Sequence, residues 1–219
     1  AGVTFVLDRA GVTGADGASH NGVWDIAMCS MIPGLRLAAP RDEETLRARL
    51  REALDVDDAP TVIRYRKGAL PEPMPALRSV GGVDILFDEA VDGSSARLLI
   101  VGTGACAPDA IEAARRLSAG GVSVTVADPQ WMIPVCPELA TLARDYDCVV
   151  SVEDGIVQGG FGWSLRDAVA EAGMPVRCLG VPQRFPEHGD RGEMIAKFGF
   201  DAAGIERAAR ELVERVGKR

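Results

Sequence analysis

A glycine-rich loop near the start of the chain carries residue types that could act on a small polar substrate. Within residues 8–20 it holds a fixed cation, Arg9, a carboxylate, Asp16, and His20, one of two histidines in the chain. The loop follows an apolar run, Val3–Leu7, that predicts a buried strand. Open α/β sheets place their ligands at polar loops beyond the carboxyl ends of strands. We therefore expect residues 8–20 to form the functional centre of the chain.

Two cations could bind one anionic group together. Arg9 follows the first predicted strand, and Lys67 follows a strand predicted over residues 61–65. Because consecutive parallel strands point the same way, both side chains can emerge at one edge of the sheet. A planar guanidinium beside an ammonium suits a phosphate. The spacing leaves open the alternative that Arg9 is tied structurally to Asp8 or Asp16.

Asp16 and His20 lie four residues apart in the same loop. They could form a hydrogen-bonding pair directed at the hydroxyl or carbonyl oxygens of a substrate, and histidine is the usual proton carrier near neutral pH. The same spacing also fits a simple turn at Asp16-Gly17 beside a solvated His20. The sequence leaves both interpretations open.

Three further features predict structure more than catalysis. Gly102-Thr103-Gly104 follows a predicted strand, but no acid stands at the distance that a dinucleotide site requires, so we expect a structural βα turn. Glu153 and Asp154 are expected at a strand end, either at an interface or solvated. The five cysteines show no metal-ligand spacing and predict buried free thiols in a reducing cytosol.

The composition limits the class of protein. A chain of 219 residues, 47% of them hydrophobic, is long enough for two lobes with buried cores. Its net charge of −8 argues against non-specific binding to nucleic acid. No apolar run approaches the roughly 20 residues that span a bilayer, and no secretory signal is visible. We expect a cytoplasmic protein that binds neither nucleic acid nor membranes.

Strand and helix patterns alternate along the chain. Residues 1–70 predict one lobe of strands and helices, which includes a helix capped by Asp42. Residues 71–96 are rich in proline and predict a linker with a small ribbon near its end. Residues 97–219 alternate strand and helix regularly. This pattern predicts an α/β fold with a mostly parallel sheet.

The loop also carries a family resemblance. The strings Asp8-Arg9-Ala10-Gly11 and Gly14-Ala15-Asp16-Gly17, followed by His20, resemble the 1-deoxy-D-xylulose-5-phosphate synthase family, which is transketolase-like and depends on thiamine diphosphate. Further matching segments are Asp25, Ile32-Pro33, Ala39-Pro40-Arg41-Asp42, Arg64-Tyr65-Arg66-Lys67-Gly68, Val152-Glu153-Asp154 and Gly159-Gly160.

The resemblance implies a division of the chain. Residues 1–70 would be the later half of a pyrimidine-binding domain with a partial parallel sheet. Residues 71–96 would be the linker, and residues 97–219 a transketolase C-terminal-type α/β domain. The chain would then correspond to the C-terminal portion of the complete enzyme.

The resemblance also implies an activity and roles for the loop residues. The family decarboxylates pyruvate on thiamine diphosphate with Mg²⁺ and joins the product to glyceraldehyde 3-phosphate, for isoprenoid, thiamine and pyridoxal synthesis. By resemblance, Arg9 and Lys67 would bind the phosphate of the acceptor, Asp16 would bind its hydroxyls, and His20 would serve the reacting centre. Arg66 stands where the family usually has proline, which adds a charge and loosens the turn.

One family motif is incomplete in this chain. The family holds Mg²⁺ with Gly-Asp-Gly and a later asparagine, whereas this chain has Ala15-Asp16-Gly17 and a single asparagine, Asn21. We therefore expect the chain alone to bind neither thiamine diphosphate nor Mg²⁺ and to be inactive. It would act as a homodimer, or with a chain that carries the missing N-terminal domain. The alternatives are a stand-alone dimerisation module, or a subunit of another thiamine diphosphate-dependent 2-oxoacid enzyme.

Overall fold

Two β-sheets organise the chain, one in each lobe. The computed structural model describes residues 2–69 and 71–218. Its strands are β1 (Val3–Leu7), β2 (Arg36–Ala38), β3 (Pro60–Arg64), β4 (Arg78–Val80), β5 (Val83–Glu89), β6 (Arg97–Gly102), β7 (Ser123–Pro129), β8 (Cys148–Ile156) and β9 (Val176–Val181). Its helices are α1 (Asp25–Cys29), α2 (Glu43–Leu54), α3 (Ala107–Ala119), α4 (Pro137–Ala143), α5 (Phe161–Ala168), α6 (Arg191–Phe198) and α7 (Ala202–Val216). Short 3-10 turns lie at Ala18–His20, Gly104–Cys106 and Ala170–Ala172.

The first lobe is built on three parallel strands in the order β1-β3-β2. Leu7 lies opposite Arg64 in the register, so β1 and β3 end together at one edge. α2 begins after Asp42, as the sequence predicts. The Asp42 carboxylate accepts a hydrogen bond from the Thr45 amide, and the Thr45 side chain returns one to the Asp42 backbone in a capping box. These elements fix the position from which the functional loop leaves β1.

The burial predicted for β1 is wrong. Its apolar run predicts a buried strand, yet Val3, Phe5 and Val6 are 47%, 53% and 50% exposed. The reason is that β1 lies at an edge of its sheet, with β3 as its one neighbour among the residues that the structure describes. A strand that is apolar on both faces is typical of the interior of a parallel sheet. β1 therefore presents an open, apolar edge.

The second lobe contains six strands in the order β4-β5-β7-β6-β8-β9. The pairs formed by β6 with β7, β6 with β8 and β8 with β9 are parallel, while β5 pairs antiparallel with β4 and β7. The predicted fold class, α/β with a mostly parallel sheet, is confirmed. The ribbon predicted before this lobe forms the β4–β5 hairpin of its sheet, while residues 71–76 carry no regular element. The proposed domain boundaries at residues 70 and 96 stay predictions.

The two lobes share a hydrophobic core. One cluster of buried side chains joins Leu37 and Val62 of the first sheet to Leu99 and Val101 of the second. A backbone hydrogen bond also joins the two lobes, since the Leu37 amide donates to the carbonyl of Ile133 at 2.8 Å. The loop after β1 is therefore held against the second lobe by a common core as well as by its own contacts.

A buried ionic cluster lies beside this core. Arg41 Nη1 is 2.7 Å from an oxygen of Asp84 and 3.2 Å from one of Asp128. Burial raises the pKa of Asp128 to about 7, against the attraction of Arg41. Burial also opposes ionisation of Asp84, but hydrogen bonds from Ser79 and Arg41 bring the pKa of that carboxyl below its usual value. One guanidinium thus binds two carboxyl groups whose pKa values are shifted in opposite directions.

Two smaller predictions change in detail. The sequence predicts one helix over residues 160–172 that Gly173 closes, but α5 ends at Ala168, and a 3-10 turn follows that ends at Gly173 in a left-handed conformation. Of the five free cysteines, Cys106 and Cys148 are buried and the other three are half-buried. Within residues 2–69 and 71–218, no helix combines the length and apolarity needed to cross a membrane.

Candidate functional site

The predicted site residues lie beyond the carboxyl-terminal ends of β1 and β3, at the same end of the first sheet. Arg9 and Lys67 leave this end from adjacent parallel strands, as the sequence predicts. Lys67 Nζ donates to both carboxylate oxygens of Asp16, at 2.7 and 2.8 Å. The hydrogen bond from Lys67 holds the pKa of Asp16 below its usual value. The loop therefore folds back over the end of β3.

Among the described residues Asp16 and His20 form no hydrogen bond with each other, and the turn around Asp16 beside an exposed His20 matches the alternative interpretation. Asp16 pairs with Lys67, whereas Nδ1 of the exposed His20 lies 3.0 Å from the Ser19 hydroxyl. Arg9 is exposed and has no carboxylate within 4.0 Å among the described residues, so the structural tie to Asp8 or Asp16 is not formed. The cation that pairs with Asp16 is Lys67 and not Arg9, because the loop turns back toward the end of β3. Arg9 is thus an unpaired cation beside a paired one.

A buried asparagine closes the base of the loop. Asn21 is 4% exposed, and its side-chain oxygen accepts a hydrogen bond from the Thr13 amide at 2.9 Å. Its amide group donates to the carbonyl of Gly17 at 2.9 Å. These bonds hold the stretch that carries Asp16 in a fixed curve. Sequence reasoning missed this role, although the single asparagine of the chain within a glycine-rich loop was an available signal.

Residues of the second lobe contact the loop at Gly11 and Val12. The Val12 amide donates to Asp154 Oδ1 at 2.9 Å. Arg191 Nη1 donates to the carbonyl of Val12 at 2.6 Å and lies 2.8 Å from Asp154 Oδ2. Gly11 has a φ of +77°, and a Cβ at that position would overlap the Asp154 carboxylate. Sequence reasoning missed this contact, because about 140 residues separate its two sides.

Glu153 and Asp154 are buried, so the solvated alternative is wrong. They are 0% and 1% exposed, because β8 continues past them to Ile156. Glu153 accepts hydrogen bonds from the amides of Phe161 and Gly162 at the start of α5, at 2.8 and 2.9 Å. Burial raises the pKa of Glu153 to about 7, although these two amides favour its ionised form.

A cleft of about 370 Å³ separates parts of the two lobes beside the loop. Four arginines line it: Arg41, Arg64, Arg66 and Arg191. Arg64 is paired, because its Nε donates to Asp25 at 2.7 Å and its Nη2 to the carbonyl of Asp154 at 2.9 Å. Arg66 lines the cleft, whereas the Lys67 side chain is directed to Asp16.

Comparison with known proteins identifies the family. The family model of the transketolase C-terminal domain matches residues 90–205, and that of the transketolase pyrimidine-binding domain matches residues 1–73. The chain belongs to the transketolase family. Within it, the chain is 49% identical over 220 residues to 1-deoxy-D-xylulose-5-phosphate synthase 2 of Streptomyces avermitilis, an alignment that covers 100% of this chain and 34% of the relative. The synthase of Corynebacterium glutamicum strain R is 48% identical over 208 residues, which cover 93% of this chain and 33% of the relative.

This transketolase-family chain therefore spans about a third of the length of the curated relatives that it matches. Among solved structures, one described as "Split gene transketolase, inactive beta4 tetramer" has a TM-score of 0.80 and 28% identity, and the match covers 97% of this chain and 66% of that chain. The transketolase of Campylobacter jejuni matches with a TM-score of 0.74 over 95% of this chain and 31% of its own, but at 15% identity it supports the fold alone.

Metal-binding side chains do not cluster in the part of the chain that the structure describes. Across residues 2–69 and 71–218, no three His, Cys, Asp or Glu side chains come together in a group that could hold a metal ion. Asp16, the carboxylate in the loop, is engaged by Lys67. We therefore assign no magnesium ligand and no metal-dependent step to these residues.

Proposed function

We propose that this chain is the C-terminal part of a 1-deoxy-D-xylulose-5-phosphate synthase and that its loop binds the acceptor substrate. The complete enzyme would condense pyruvate with glyceraldehyde 3-phosphate. The observation that carries the proposal is the convergence of Arg9, Asp16 and Lys67 where β1 and β3 end together. Identity of 49% to a named synthase along the whole chain supports the same substrate class.

Arg9 and Lys67 would bind the acceptor phosphate. Arg9 has no ion-pair partner among the described residues, and its guanidinium offers parallel donors to phosphate oxygens. Lys67 is held near the loop by Asp16, in a pair whose lysine side chain is 50% exposed. Exposed ion pairs contribute little free energy, so a dianionic phosphate can bind Lys67 without a large cost.

Asp16 and His20 would act on the rest of the acceptor. The lowered pKa of Asp16 keeps its carboxylate ionised, so it can only accept hydrogen bonds, which suits the hydroxyls of a sugar phosphate. His20 is exposed, and its Nδ1 lies beside Ser19, which leaves Nε2 available to a substrate oxygen. Histidine at this place could carry a proton to or from the acceptor carbonyl oxygen.

Thiamine diphosphate and Mg²⁺ would bind in the complete enzyme. The cofactor supplies the chemistry that decarboxylates pyruvate, as cofactors generally carry the reactions that side chains cannot. The residues described above contribute acceptor binding and provide no group of metal ligands. We therefore propose that the chain by itself binds neither cofactor nor metal and has no synthase activity.

The open edge of β1 supports pairing with another polypeptide surface. Val3, Phe5 and Val6 leave both faces of the strand apolar and half-exposed, and an unpaired strand edge invites association. The solved relative described as an inactive β4 tetramer of a split-gene transketolase has this fold and 28% identity. Pairing with a chain that carries the remaining domains, or as a homodimer, fits both observations. The same edge also favours a second candidate function, a stand-alone interaction module.

A chimeric enzyme tests the proposed function. This chain replaces the aligned third of the Streptomyces avermitilis synthase, and product formation from pyruvate and glyceraldehyde 3-phosphate is measured beside the isolated chain. We expect turnover from the chimera and none from the isolated chain. A folded chimera that binds thiamine diphosphate but makes no product would refute the synthase assignment and favour the interaction module. Turnover by the isolated chain would refute the proposed dependence on further domains.

A further inference from the structure

We propose that Asp154 and Arg191 of the second lobe are positioning residues for the acceptor-binding loop. This inference rests on the proposed function. The two side chains form a clamp on Val12, in which Asp154 accepts from its amide and Arg191 donates to its carbonyl. A direct pair between Arg191 Nη1 and Asp154 Oδ2 at 2.8 Å closes the clamp. Both polar groups of one loop residue are thus satisfied by the other lobe.

The loop sequence fits this clamp closely. Gly11 and Gly14 flank the clamped stretch, and both have positive φ, at +77° and +71°. A Cβ on Gly11 would overlap the Asp154 carboxylate, and a Cβ on Gly14 would lie 2.9 Å from the Arg191 amide nitrogen. Glycine is required here for its conformation and for the close approach of the second lobe. The loop therefore approaches the second lobe closely at Gly11, Val12 and Gly14.

The clamped segment lies directly between the proposed substrate-binding residues. Arg9 precedes Gly11 by two positions, and Asp16 follows Gly14 by two. A shift of Val12 would therefore move both side chains relative to Lys67, which lies on the segment after β3. Displacements of about 1 Å in positioning groups can reduce catalysis by on the order of 100-fold. The second lobe thereby determines the geometry of a site carried by the first.

The clamp itself is rigidly held. The Asp154 side chain is 2% exposed and the Arg191 side chain 19%. Arg191 begins α6, where Asp190 caps the helix by accepting from the amides of Gly192 and Glu193. Asp154 lies in β8, two residues after Val152, the last residue of the strand that pairs with both β6 and β9, and it is 1% exposed. Because Asp154 is buried and Arg191 lies at the capped start of α6, we expect the loop to be the part that moves when the clamp is broken.

Hydrogen–deuterium exchange on the full chain tests the clamp without any activity. We expect the peptide that covers residues 8–20 to exchange faster in Arg191→Ala and in Asp154→Asn than in the unmodified chain. Asp154→Asn is nearly isosteric and keeps an oxygen for the Val12 amide, but it removes the charge that pairs with Arg191. We therefore expect this variant to fold even if Arg191→Ala does not. Lys197→Ala is the matched control, since it removes an exposed cation from the same helix. Unchanged exchange over residues 8–20 in both folded variants, Arg191→Ala and Asp154→Asn, would overturn the proposal.

A second experiment measures kinetics in the chimera that joins this chain to the preceding part of the Streptomyces avermitilis synthase. It distinguishes an effect on acceptor binding from a loss of folded enzyme. We expect Arg191→Ala and Asp154→Asn to raise KM for glyceraldehyde 3-phosphate by about 10-fold or more, with KM for pyruvate unchanged. Lys197→Ala should change neither value. A lower kcat with both KM values unchanged would indicate a loss of folded enzyme only and would overturn the positioning role. If the unmodified chimera has no turnover, the proposed function fails, while the exchange experiment still decides the clamp.

Discussion

The pair between Lys67 and Asp16 is the decisive contact at the scale of single residues. It joins the end of β3 to the loop after β1 through two short hydrogen bonds, at 2.7 and 2.8 Å. In solvent such a pair adds little stability. Its effect is to keep a cation and a carboxylate next to each other, and near Arg9, before a ligand arrives. That arrangement suits a substrate with both phosphate and hydroxyl groups.

Buried carboxyl groups give a second feature at this scale. Asp128 is 3% exposed and shares Arg41 with Asp84. Since burial raises its pKa from 3.8 to about 7, the folded state retains a proton that the unfolded state releases above about pH 4. The contribution of Asp128 to stability is therefore fully present below that pH and is lost as the pH rises toward 7.

Replacement of Asp128 by asparagine should remove this pH dependence. We expect the free energy of unfolding of the unmodified chain to fall relative to Asp128→Asn between pH 4 and 7, by at most about 1.4 kcal/mol per pH unit. Above pH 7 the difference should become constant. Urea unfolding of both chains at half-unit pH steps measures it. A difference that stays the same from pH 4 to 7 would show that Asp128 is ionised in the folded state.

At the scale of elements, the length of β1 can be predicted from the sequence, whereas its burial cannot. Its bounds follow from the apolar run, and the structure has the same bounds, Val3–Leu7. Its burial depends on what lies beside it, which the local pattern cannot show. The apolar side chains on both faces are those of an interior strand, but the described residues supply a neighbour on one edge.

Substitution on β1 should weaken association with a companion surface. Phe5→Glu places a charge on the open strand, where desolvation on pairing would be costly. We expect the variant to bind less of the preceding part of the Streptomyces avermitilis synthase in a titration followed by light scattering. Leu54→Glu, which charges an exposed apolar residue at the end of α2, is the control and should bind normally. Equal binding by Phe5→Glu would show that partners do not use this edge.

Helix starts were predicted better than tertiary contacts. Asp42 caps α2 as expected, and Asp201 caps α7 in the same way. Such caps are predictable because the capping carboxylate and the amide that it binds are three residues apart. The contact of Asp154 with Val12 spans 142 residues, and no local pattern encodes it. The positions of Arg9 and Lys67 at one edge were predictable, since parallel strands fix direction. The pairing of Lys67 with Asp16 was not, because it depends on how the glycine-rich loop turns.

At the scale of the whole molecule, the two lobes behave as one scaffold for the loop. They share a hydrophobic core, the ionic cluster of Arg41 and the clamp on Val12. A loop on the first lobe is thus supported from the second, and under the proposed function the second lobe would position the acceptor-binding residues. The chain covers about a third of its curated relatives, so this scaffold is a portion of the catalytic assembly that we propose.

The measurement that tests the central claim most directly compares two acceptors in the chimeric enzyme. Glyceraldehyde 3-phosphate and glyceraldehyde differ only in the phosphate that Arg9 and Lys67 would bind. We expect the unmodified enzyme to prefer the phosphorylated acceptor in kcat/KM, and Arg9→Ala or Lys67→Ala to reduce that preference by roughly 10- to 100-fold, as expected for the loss of a charged hydrogen bond. Arg51→Ala, an exposed cation on α2, should keep the full preference. An unchanged preference in both loop variants would contradict the account.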